Sequence, residues 1–126
     1  ATQDGQALLI TDYGAGRVVM FALEPDGRIQ AARRIIGHAG SSLNPARQEA
    51  SHTHSVTLTP DERFAIIADL GTDELVVYQL ERATMGLIRR QTIAAAPGSG
   101  PRHVAFHPHQ PIVYSIQELG STVAVF

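Results

Sequence analysis

The amino-acid sequence predicts an all-β fold made of tandem antiparallel units. The first observation is a unit that occurs three times, in residues 7–21, 65–78 and 113–126. Each copy has an apolar run, an acidic residue, a turn with glycine and a second run rich in β-branched or aromatic residues. The second observation is that no stretch of ten or more residues combines helical periodicity with helix caps. Repeats of about this period are typical of solenoids, propellers and other arrays.

The individual strands are predicted from short runs rich in Val, Ile, Phe and Tyr that are bounded by Gly, Pro and Asp. In the first unit the predicted strands are residues 8–11, 18–23 and 29–36. Residues 1–6 resemble the end of the turn that follows the first strand of a unit, so the strand at 8–11 corresponds to a second strand. A long loop, 37–53, leads to the strands of the second unit, at 55–58, 64–68, 75–80 and 87–94. A connecting loop then leads to a third unit, whose first strand is predicted at 103–106.

Four antiparallel strands per tandem unit are the pattern of β-propeller blades. A stacked β-solenoid, the alternative array, would have shorter and more uniform rungs. We therefore expect a β-propeller fragment with an incomplete blade at 1–37, a complete blade with its leading loop at 38–96, and an incomplete blade at 97–126. About two and a half blades cannot close a ring and would leave strand edges exposed, so we expect the remaining blades of the same polypeptide to be partners of this segment.

Composition argues against two classes of partner. The 126 residues carry a net charge of -2, without the clustered basic face of a nucleic-acid-binding domain. No apolar run approaches the roughly 20 residues of a membrane-spanning helix. Residues 1–5 are polar and unlike a signal peptide, and we expect a cytoplasmic location. The chain has no cysteine, so disulfide and thiol chemistry are excluded for these residues.

Polar residues gather in two segments, 44–55 and 97–103, each leading into the first strand of a blade. In a blade, the start of the first strand and the end of the second lie on the same face of the ring. His54 and Arg102 are at first-strand starts, and Asp12, Asp69 and Glu118 are at second-strand ends, 57 and then 49 residues apart. We expect all five to surround one mouth of the central channel. A histidine, an arginine and carboxylates that converge can support hydrolysis or proton transfer.

Structural interpretations of several candidates remain open. Asp12 and Asp69 also fit the capping of tight turns through their own side chains. His107 precedes a turn proline and fits a turn role. His52 and His54 are two residues apart on one strand face and could chelate a metal, but no third ligand has a convincing spacing. We therefore expect neither a metal nor another cofactor.

Several short motifs carry a family resemblance. They are H-x-H at 52–54, T-P-D-x-R-F at 59–64, A-D-L-G-x-D at 68–73, G-x-G-P-R-H at 98–103, H-P at 107–108 and E-L-x-S-T at 118–122. Together they span nearly the whole chain and resemble the seven-bladed β-propeller lactonases. That family includes cycloisomerase-type 6-phosphogluconolactonases and carboxy-muconate lactonizing enzymes.

The resemblance implies a lactonase of carbohydrate metabolism that hydrolyses 6-phosphogluconolactone, an anionic sugar lactone of the pentose phosphate pathway. The residues that match the family's proposed catalytic groups are His54, Arg102 and Glu118. Around them we expect contacts with substrate from His52, Arg47, Asp69 and His103. Arg102 suits a carbonyl oxygen or an anionic group because its guanidinium is a fixed bidentate donor. Either His54 or Glu118 could be the base.

Two other functions are consistent with the sequence. The same residues could serve a lactonizing cycloisomerase that acts on a muconate-type diacid, or the chain could belong to a propeller that only scaffolds other proteins. Separations of more than about 10 Å among His54, Arg102 and Glu118 would favour the scaffold, which has no need of converging side chains. We expect the isolated chain to be inactive, because part of the pocket would come from other blades.

Overall fold

The computed structural model describes all of residues 1–126 and contains ten strands and no α-helix. The strands are β1 (Ala7–Asp12), β2 (Arg17–Leu23), β3 (Ile29–Gly37), β4 (Thr53–Leu58), β5 (Phe64–Asp69), β6 (Glu74–Glu81), β7 (Gly86–Ala94), β8 (Pro101–Phe106), β9 (Val113–Gln117) and β10 (Thr122–Val125). A single 3-10 turn, Arg82–Thr84, separates β6 from β7. No helix is long and apolar enough to cross a membrane.

The strands form three antiparallel sheets in chain order: β1-β2-β3, β4-β5-β6-β7 and β8-β9-β10. The all-β prediction is confirmed, and the middle sheet has the four strands that were expected of a complete unit. The first strands of the three sheets lie side by side. Thr11 Oγ1 in β1 donates to the carbonyl of His54 in β4 at 3.2 Å, and Thr57 in β4 reaches the carbonyl of Val104 in β8 at 3.5 Å.

The hydrophobic core lies on both faces of the middle sheet. Side chains alternate between the two faces of a strand, and in β5 both sets are apolar. Ile67 belongs to the cluster packed against the first sheet, whereas Ile66 and Ala68 belong to the cluster that reaches Val104 of the third sheet. This burial on both sides explains why β5 is a nearly continuous apolar run. It also fixes the first and third sheets against the middle one.

The strand register corrects the sequence alignment of the acidic residues. Thr53 of β4 pairs with Asp69, and the equivalent pair in the third sheet is Pro101 with Gln117. Gln117, and not Glu118, therefore occupies the position of Asp69. The same serine contact is repeated, since Ser51 donates to Asp69 at 2.6 Å and Ser99 to Gln117 at 2.9 Å. An alignment that matches Gly71 with Gly120 puts Glu118 at the position of Asp69 and is therefore wrong by one residue. In a strand, a shift of one residue moves a side chain to the opposite face.

The long loop 38–52, which carries Arg47 and His52, is held by Asp73 in the turn after β5. The buried Asp73 carboxylate accepts hydrogen bonds from Ser42 Oγ at 2.5 Å and Gln48 Nε2 at 2.9 Å. It also accepts the backbone amides of Gly98 and Gly100, at 2.6 and 2.7 Å. One carboxylate thus joins the loop before β4 to the loop before β8.

The loop also approaches the turn after β5 so closely that only glycine fits at position 71. A Cβ atom on Gly71 would lie 1.8 Å from the carbonyl oxygen of Ala50 and 2.7 Å from the amide nitrogen of His52. Both neighbours are backbone atoms, so they cannot move aside by changing rotamer. The glycine is required by this contact and not by its backbone dihedrals.

We expect Gly71→Ala to lower the free energy of unfolding by about 3 kcal/mol or more, because the clash forces the loop away from the sheet. Gly37→Ala is the matched control, since a Cβ atom there meets no atom within 4 Å, and it should change stability by less than about 0.5 kcal/mol. Urea unfolding of the two variants tests the contact. Equal stability of the two variants would show that the loop does not depend on this approach.

Candidate functional site

His54 and Arg102 occupy equivalent β-bulges at the starts of their strands. In the β4–β5 pair the register shifts between Thr53 and Ser55, and in the β8–β9 pair it shifts between Pro101 and His103. The residue left over in each shift is His54 in one sheet and Arg102 in the other. Bulges re-aim side chains and are frequent beside active sites. Here they direct the two side chains toward each other, and Arg102 Nε lies 3.1 Å from His54 Nε2.

Glu118 completes this cluster from the turn after β9. Its Oε2 atom lies 2.9 Å from Arg102 Nε and 3.8 Å from His54 Nε2. Its Oε1 atom accepts a hydrogen bond from Arg47 Nη2 at 2.5 Å. The three side chains singled out as catalytic candidates, together with Arg47, therefore form one contiguous group that joins the loop before β4 to the second and third sheets.

The two arginines keep Glu118 ionised. The hydrogen bond from Arg47 is the largest cause that lowers the pKa of Glu118 from its ordinary value, and the charges of Arg47, Arg102 and His54 add to it. Partial burial opposes this shift without reversing it. A carboxylate stabilised in this way is a weak base.

His54 is held in its neutral form. Burial is the main cause that lowers the pKa of His54, and the charges of Arg102 and His103 lower it further, although Glu118 acts in the opposite direction. Since the arginine Nε–H can only donate, His54 Nε2 accepts this hydrogen bond and carries a lone pair. Its Nδ1 atom is buried and has no hydrogen-bond partner. A neutral imidazole with its Nε2 lone pair in the cluster has the electronic form of a general base.

Arg102 retains donors for a ligand. Its Nε–H donates to His54 Nε2, and Nε also forms an ion pair with Glu118, whereas its two terminal nitrogens make no hydrogen bond within the chain. The side chain is 47% exposed. Two parallel N–H donors on a guanidinium that is fixed at Nε can bind a carbonyl oxygen or an anion.

Two of the expected substrate-binding residues border this cluster. The His103 ring meets the His54 ring edge to face, with centroids 5.2 Å apart. His52 lies further back, where its ring stacks on Tyr13 at 4.4 Å. Both ring nitrogens of His52 already have oxygen partners, the carbonyl of Tyr13 at 3.0 Å and a carboxylate oxygen of Glu49 at 3.1 Å. A substrate contact from His52 would have to use the edge of its ring.

Asp69 lies elsewhere. Its carboxylate is fully buried and accepts hydrogen bonds from His38 Nδ1 at 3.0 Å, Ser51 Oγ at 2.6 Å and the His52 amide at 2.9 Å. Burial is the largest single influence and would raise the pKa of Asp69, but these hydrogen bonds outweigh it and the pKa is lowered. These contacts favour the turn-capping role that the sequence had left open, in place of the expected contact with substrate.

Asp12 and His107, the other two candidates that also fit a role in a turn, lie away from the cluster. Asp12 forms an exposed ion pair with Arg17 at 2.9 Å. His107 Nδ1 accepts the backbone amide of His109 at 3.1 Å within its turn. Only three of the five residues expected around one mouth are therefore brought together. No group of three or more His, Cys, Asp or Glu side chains has the arrangement of a metal site.

Sequence reasoning missed Tyr13. Its ring stacks on His52 and meets the edge of His54 at 5.7 Å. Tyr13 is the first residue after β1, as Glu118 is the first residue after β9. With the correct register of the repeat, this shared position would have marked Tyr13 as a candidate.

The fold and the cluster together define a class of protein, a β-propeller whose adjacent blades place a histidine, an arginine and a carboxylate at neighbouring strand ends. The comparisons identify the family. The family described as "Lactonase, 7-bladed beta-propeller" matches residues 1–126, and the chain belongs to it. The expected propeller-fragment fold is thereby confirmed.

Named relatives agree with this assignment. The chain is 36% identical over 118 residues to the 6-phosphogluconolactonase of Bacillus subtilis, covering 94% of this chain and 33% of that protein. A putative 6-phosphogluconolactonase from Bacteroides fragilis superposes with a TM-score of 0.90 at 30% identity, covering 99% of this chain and 37% of that structure. The periplasmic gluconolactonase of Pseudomonas aeruginosa gives a TM-score of 0.90 at 32% identity, with 98% and 36% covered. The chain thus spans about a third of the length of these relatives.

We expect Asp69→Ala to destabilise the protein by about 3 kcal/mol, because it leaves several buried donors without an acceptor. Asp12→Ala is the matched control, since Asp12 has the same place in the first sheet but only exposed partners, the Arg17 side chain and the Ala15 amide, and its loss should cost less than about 1 kcal/mol. Urea unfolding at neutral pH measures both values. Asp69→Ala with the stability of Asp12→Ala would contradict the structural role.

Proposed function

We propose that this chain contributes to the active site of a lactonase that hydrolyses 6-phosphogluconolactone to 6-phosphogluconate. The observation that carries the proposal is the contact of His54, Arg102 and Glu118, which lie within 3.8 Å of one another. These separations are far shorter than the roughly 10 Å that would have favoured a non-catalytic scaffold. The names of the Bacillus and Bacteroides relatives support the phosphorylated substrate.

In the proposed mechanism, His54 is the general base. When substrate and water bind, the Nε–H of Arg102 donates to Glu118 Oε2, which lies 2.9 Å away, and the Nε2 lone pair of His54 is released. Nε2 then takes a proton from a water molecule while the water oxygen attacks the carbonyl carbon of the lactone. The bond between that carbon and the ring oxygen then breaks, and the ring oxygen takes the proton from His54. The product is the open-chain hydroxy acid, which releases its own proton to water. Glu118 is less suited to this role because two arginines stabilise its charged form.

Arg102 stabilises the negative charge that develops on the carbonyl oxygen. Its terminal nitrogens are free to donate to that oxygen, and Glu118 holds the guanidinium through Nε. Donors that are already oriented before the reaction stabilise an oxyanion without the cost of reorganisation. Glu118 therefore acts as a positioning residue for Arg102 and balances part of its charge.

We further propose that this chain functions inside a closed seven-bladed ring. Ile116, Val123 and Val125 share the outer face of the third sheet and are exposed, and Ile10 and Ile35 are exposed on the outer face of the first. Apolar sheet faces of this kind fit cover by neighbouring blades. The expected cytoplasmic location remains a prediction, since the Pseudomonas relative is described as periplasmic.

In the closed ring, we expect Arg102→Ala to lower the kcat for 6-phosphogluconolactone by about 100- to 1000-fold, as is typical when one oxyanion donor is lost. Arg102→Lys should recover only part of this loss, because a single ammonium cannot replace the planar guanidinium. Arg28→Ala is the matched control, since Arg28 is an exposed arginine paired only with Asp26. Wild-type turnover in Arg102→Ala would place the chemistry elsewhere.

The pH profile distinguishes the two possible bases. If His54 is the base, kcat/KM falls on the acid side as pH drops through the pKa of His54, which lies below the ordinary 6.5. Because the charge of Glu118 raises the pKa of His54, Glu118→Gln should move this acid limb to lower pH. Any ionisation of the substrate phosphate is common to both proteins and cancels in the comparison. Disappearance of the acid limb in Glu118→Gln would instead identify Glu118 as the base.

A further inference from the structure

The ring of His54 lacks the contact that usually orients a catalytic histidine. In such a histidine the nitrogen that does not react donates to a fixed acceptor, and this hydrogen bond sets both the tautomer and the ring orientation. Nδ1 of His54 is buried and has no hydrogen-bond partner. The ring accepts one hydrogen bond, from Arg102 to Nε2 at 3.1 Å, and the proposed mechanism gives up this bond when substrate and water bind. Other contacts then have to hold the ring.

Two aromatic rings meet the His54 ring nearly at right angles. The Tyr13 ring does so with centroids 5.7 Å apart and 83° between planes, and the His103 ring with centroids 5.2 Å apart and 73° between planes. Perpendicular packing is a favoured arrangement of aromatic rings. Tyr13 follows β1 in the first sheet, and His103 lies in β8 of the third. His54 is therefore in contact with an aromatic residue from each neighbouring sheet.

His52 fixes Tyr13 in two ways. The two rings are stacked, with centroids 4.4 Å apart and 13° between planes. In addition, His52 Nδ1 lies 3.0 Å from the carbonyl oxygen of Tyr13, and His52 Nε2 lies 3.1 Å from a carboxylate oxygen of Glu49. Both oxygens can only accept, so His52 donates to both of them when both of its ring nitrogens carry hydrogen. One imidazole thus contacts the ring and the backbone of Tyr13.

His52 is itself attached to the middle sheet. Its amide donates to Asp69 Oδ1 at 2.9 Å, and its carbonyl accepts the amide of Leu70 at 3.0 Å. The residue is buried. Side chains that are locked by packing and hydrogen bonds hold a site more precisely than side chains that project freely from a loop. The stacked pair of Tyr13 and His52 is therefore a rigid support beside His54.

We propose that Tyr13 and His52 are positioning residues for His54, whose ring they hold with Nε2 toward the lactone after Arg102 has released it. This inference rests on the proposed function and adds to it the support of the base. It gives His52 a role other than the substrate contact that was expected from the sequence. Both residues act through His54 and not on the substrate, so their loss lowers kcat and leaves KM nearly unchanged.

The first test measures turnover of 6-phosphogluconolactone by the closed propeller. Tyr13→Ala should lower kcat about 10- to 100-fold, because a small displacement of a catalytic group is costly, and should change KM by less than about twofold. Tyr13→Phe is the matched control, since it keeps the ring and removes only the hydroxyl, and its kcat should stay within about twofold of the wild type. An equal loss of kcat in the two variants would overturn the proposal. A rise in KM without a fall in kcat in Tyr13→Ala would overturn it as well.

A double-mutant cycle tests whether the two residues act as one unit. His52→Ala should lower kcat about as much as Tyr13→Ala, and the double variant should be little slower than either single variant. Losses that multiply would contradict a shared role. His109→Ala is the control histidine and should have wild-type kinetics, because its ring is exposed and meets the ring of His107. If thermal melts show that His52→Ala is unfolded, the comparison of Tyr13→Ala with Tyr13→Phe decides the proposal.

Crystal structures of variants distinguish this inference from the proposed function. In Arg102→Ala the hydrogen bond to His54 Nε2 is absent, and we expect Tyr13 still to hold the His54 ring in one rotamer. When Tyr13→Ala is added, the ring should occupy several rotamers. Several rotamers in Arg102→Ala alone, or one rotamer in the double variant, would overturn the positioning role. If the closed propeller hydrolyses no lactone, the proposed function fails, and the rotamers of His54 still decide the positioning role.

Discussion

Two buried carboxylates, Asp69 at the end of β5 and Asp73 in the turn that follows, hold together the segments on which the candidate site is built. Asp69 fixes the end of the long loop through Ser51 and the His52 amide. Asp73 fixes its middle through Gln48 and, on its other side, the amides of Gly98 and Gly100. Without these bonds, neither Arg47 nor the start of β8 would be held in place. Ionised carboxylates suit this task because each can accept several charge-assisted hydrogen bonds at once.

The protonation states in the site depend on the charges of a few neighbouring side chains. Both bulges aim a nitrogen at Glu118, and the carboxylate joins Arg47 to Arg102. The arginines lower the pKa of Glu118, while burial and the charge of Arg102 lower the pKa of His54. Two titratable groups are thereby set in different forms, one charged and one neutral, within 3.8 Å of each other. Assignments of acid, base and electrostatic roles usually follow from such separated proton affinities.

Much of the fold could be predicted from the sequence because its signals are local. Strand bounds follow from β-branched runs and turn residues, and the predicted strand at 64–68 differs from β5 (Phe64–Asp69) by one residue. The convergence of His54, Arg102 and Glu118 followed from a rule about strand ends. What failed was the alignment of the acidic residues, because the register of a turn is set by three-dimensional pairing and not by the position of its glycine. The buried state of Asp69 could not be read either, since its partners His38 and Ser51 come from a loop without periodicity.

The corrected register gives the repeat a functional meaning. A propeller reuses one backbone unit, so the residue that follows each of the equivalent strands β1, β5 and β9 stands at the same rim. In the first sheet it is Tyr13, an aromatic ring stacked on His52, and in the third it is Glu118, bound by two arginines. In the middle sheet it is Leu70, which is buried and whose carbonyl receives the side-chain amide of Gln48. Neighbouring blades bring these repeated positions close together. One backbone position can therefore build an asymmetric site on a symmetric framework, because it carries an aromatic residue in one sheet, an apolar residue in the next and a carboxylate in the third.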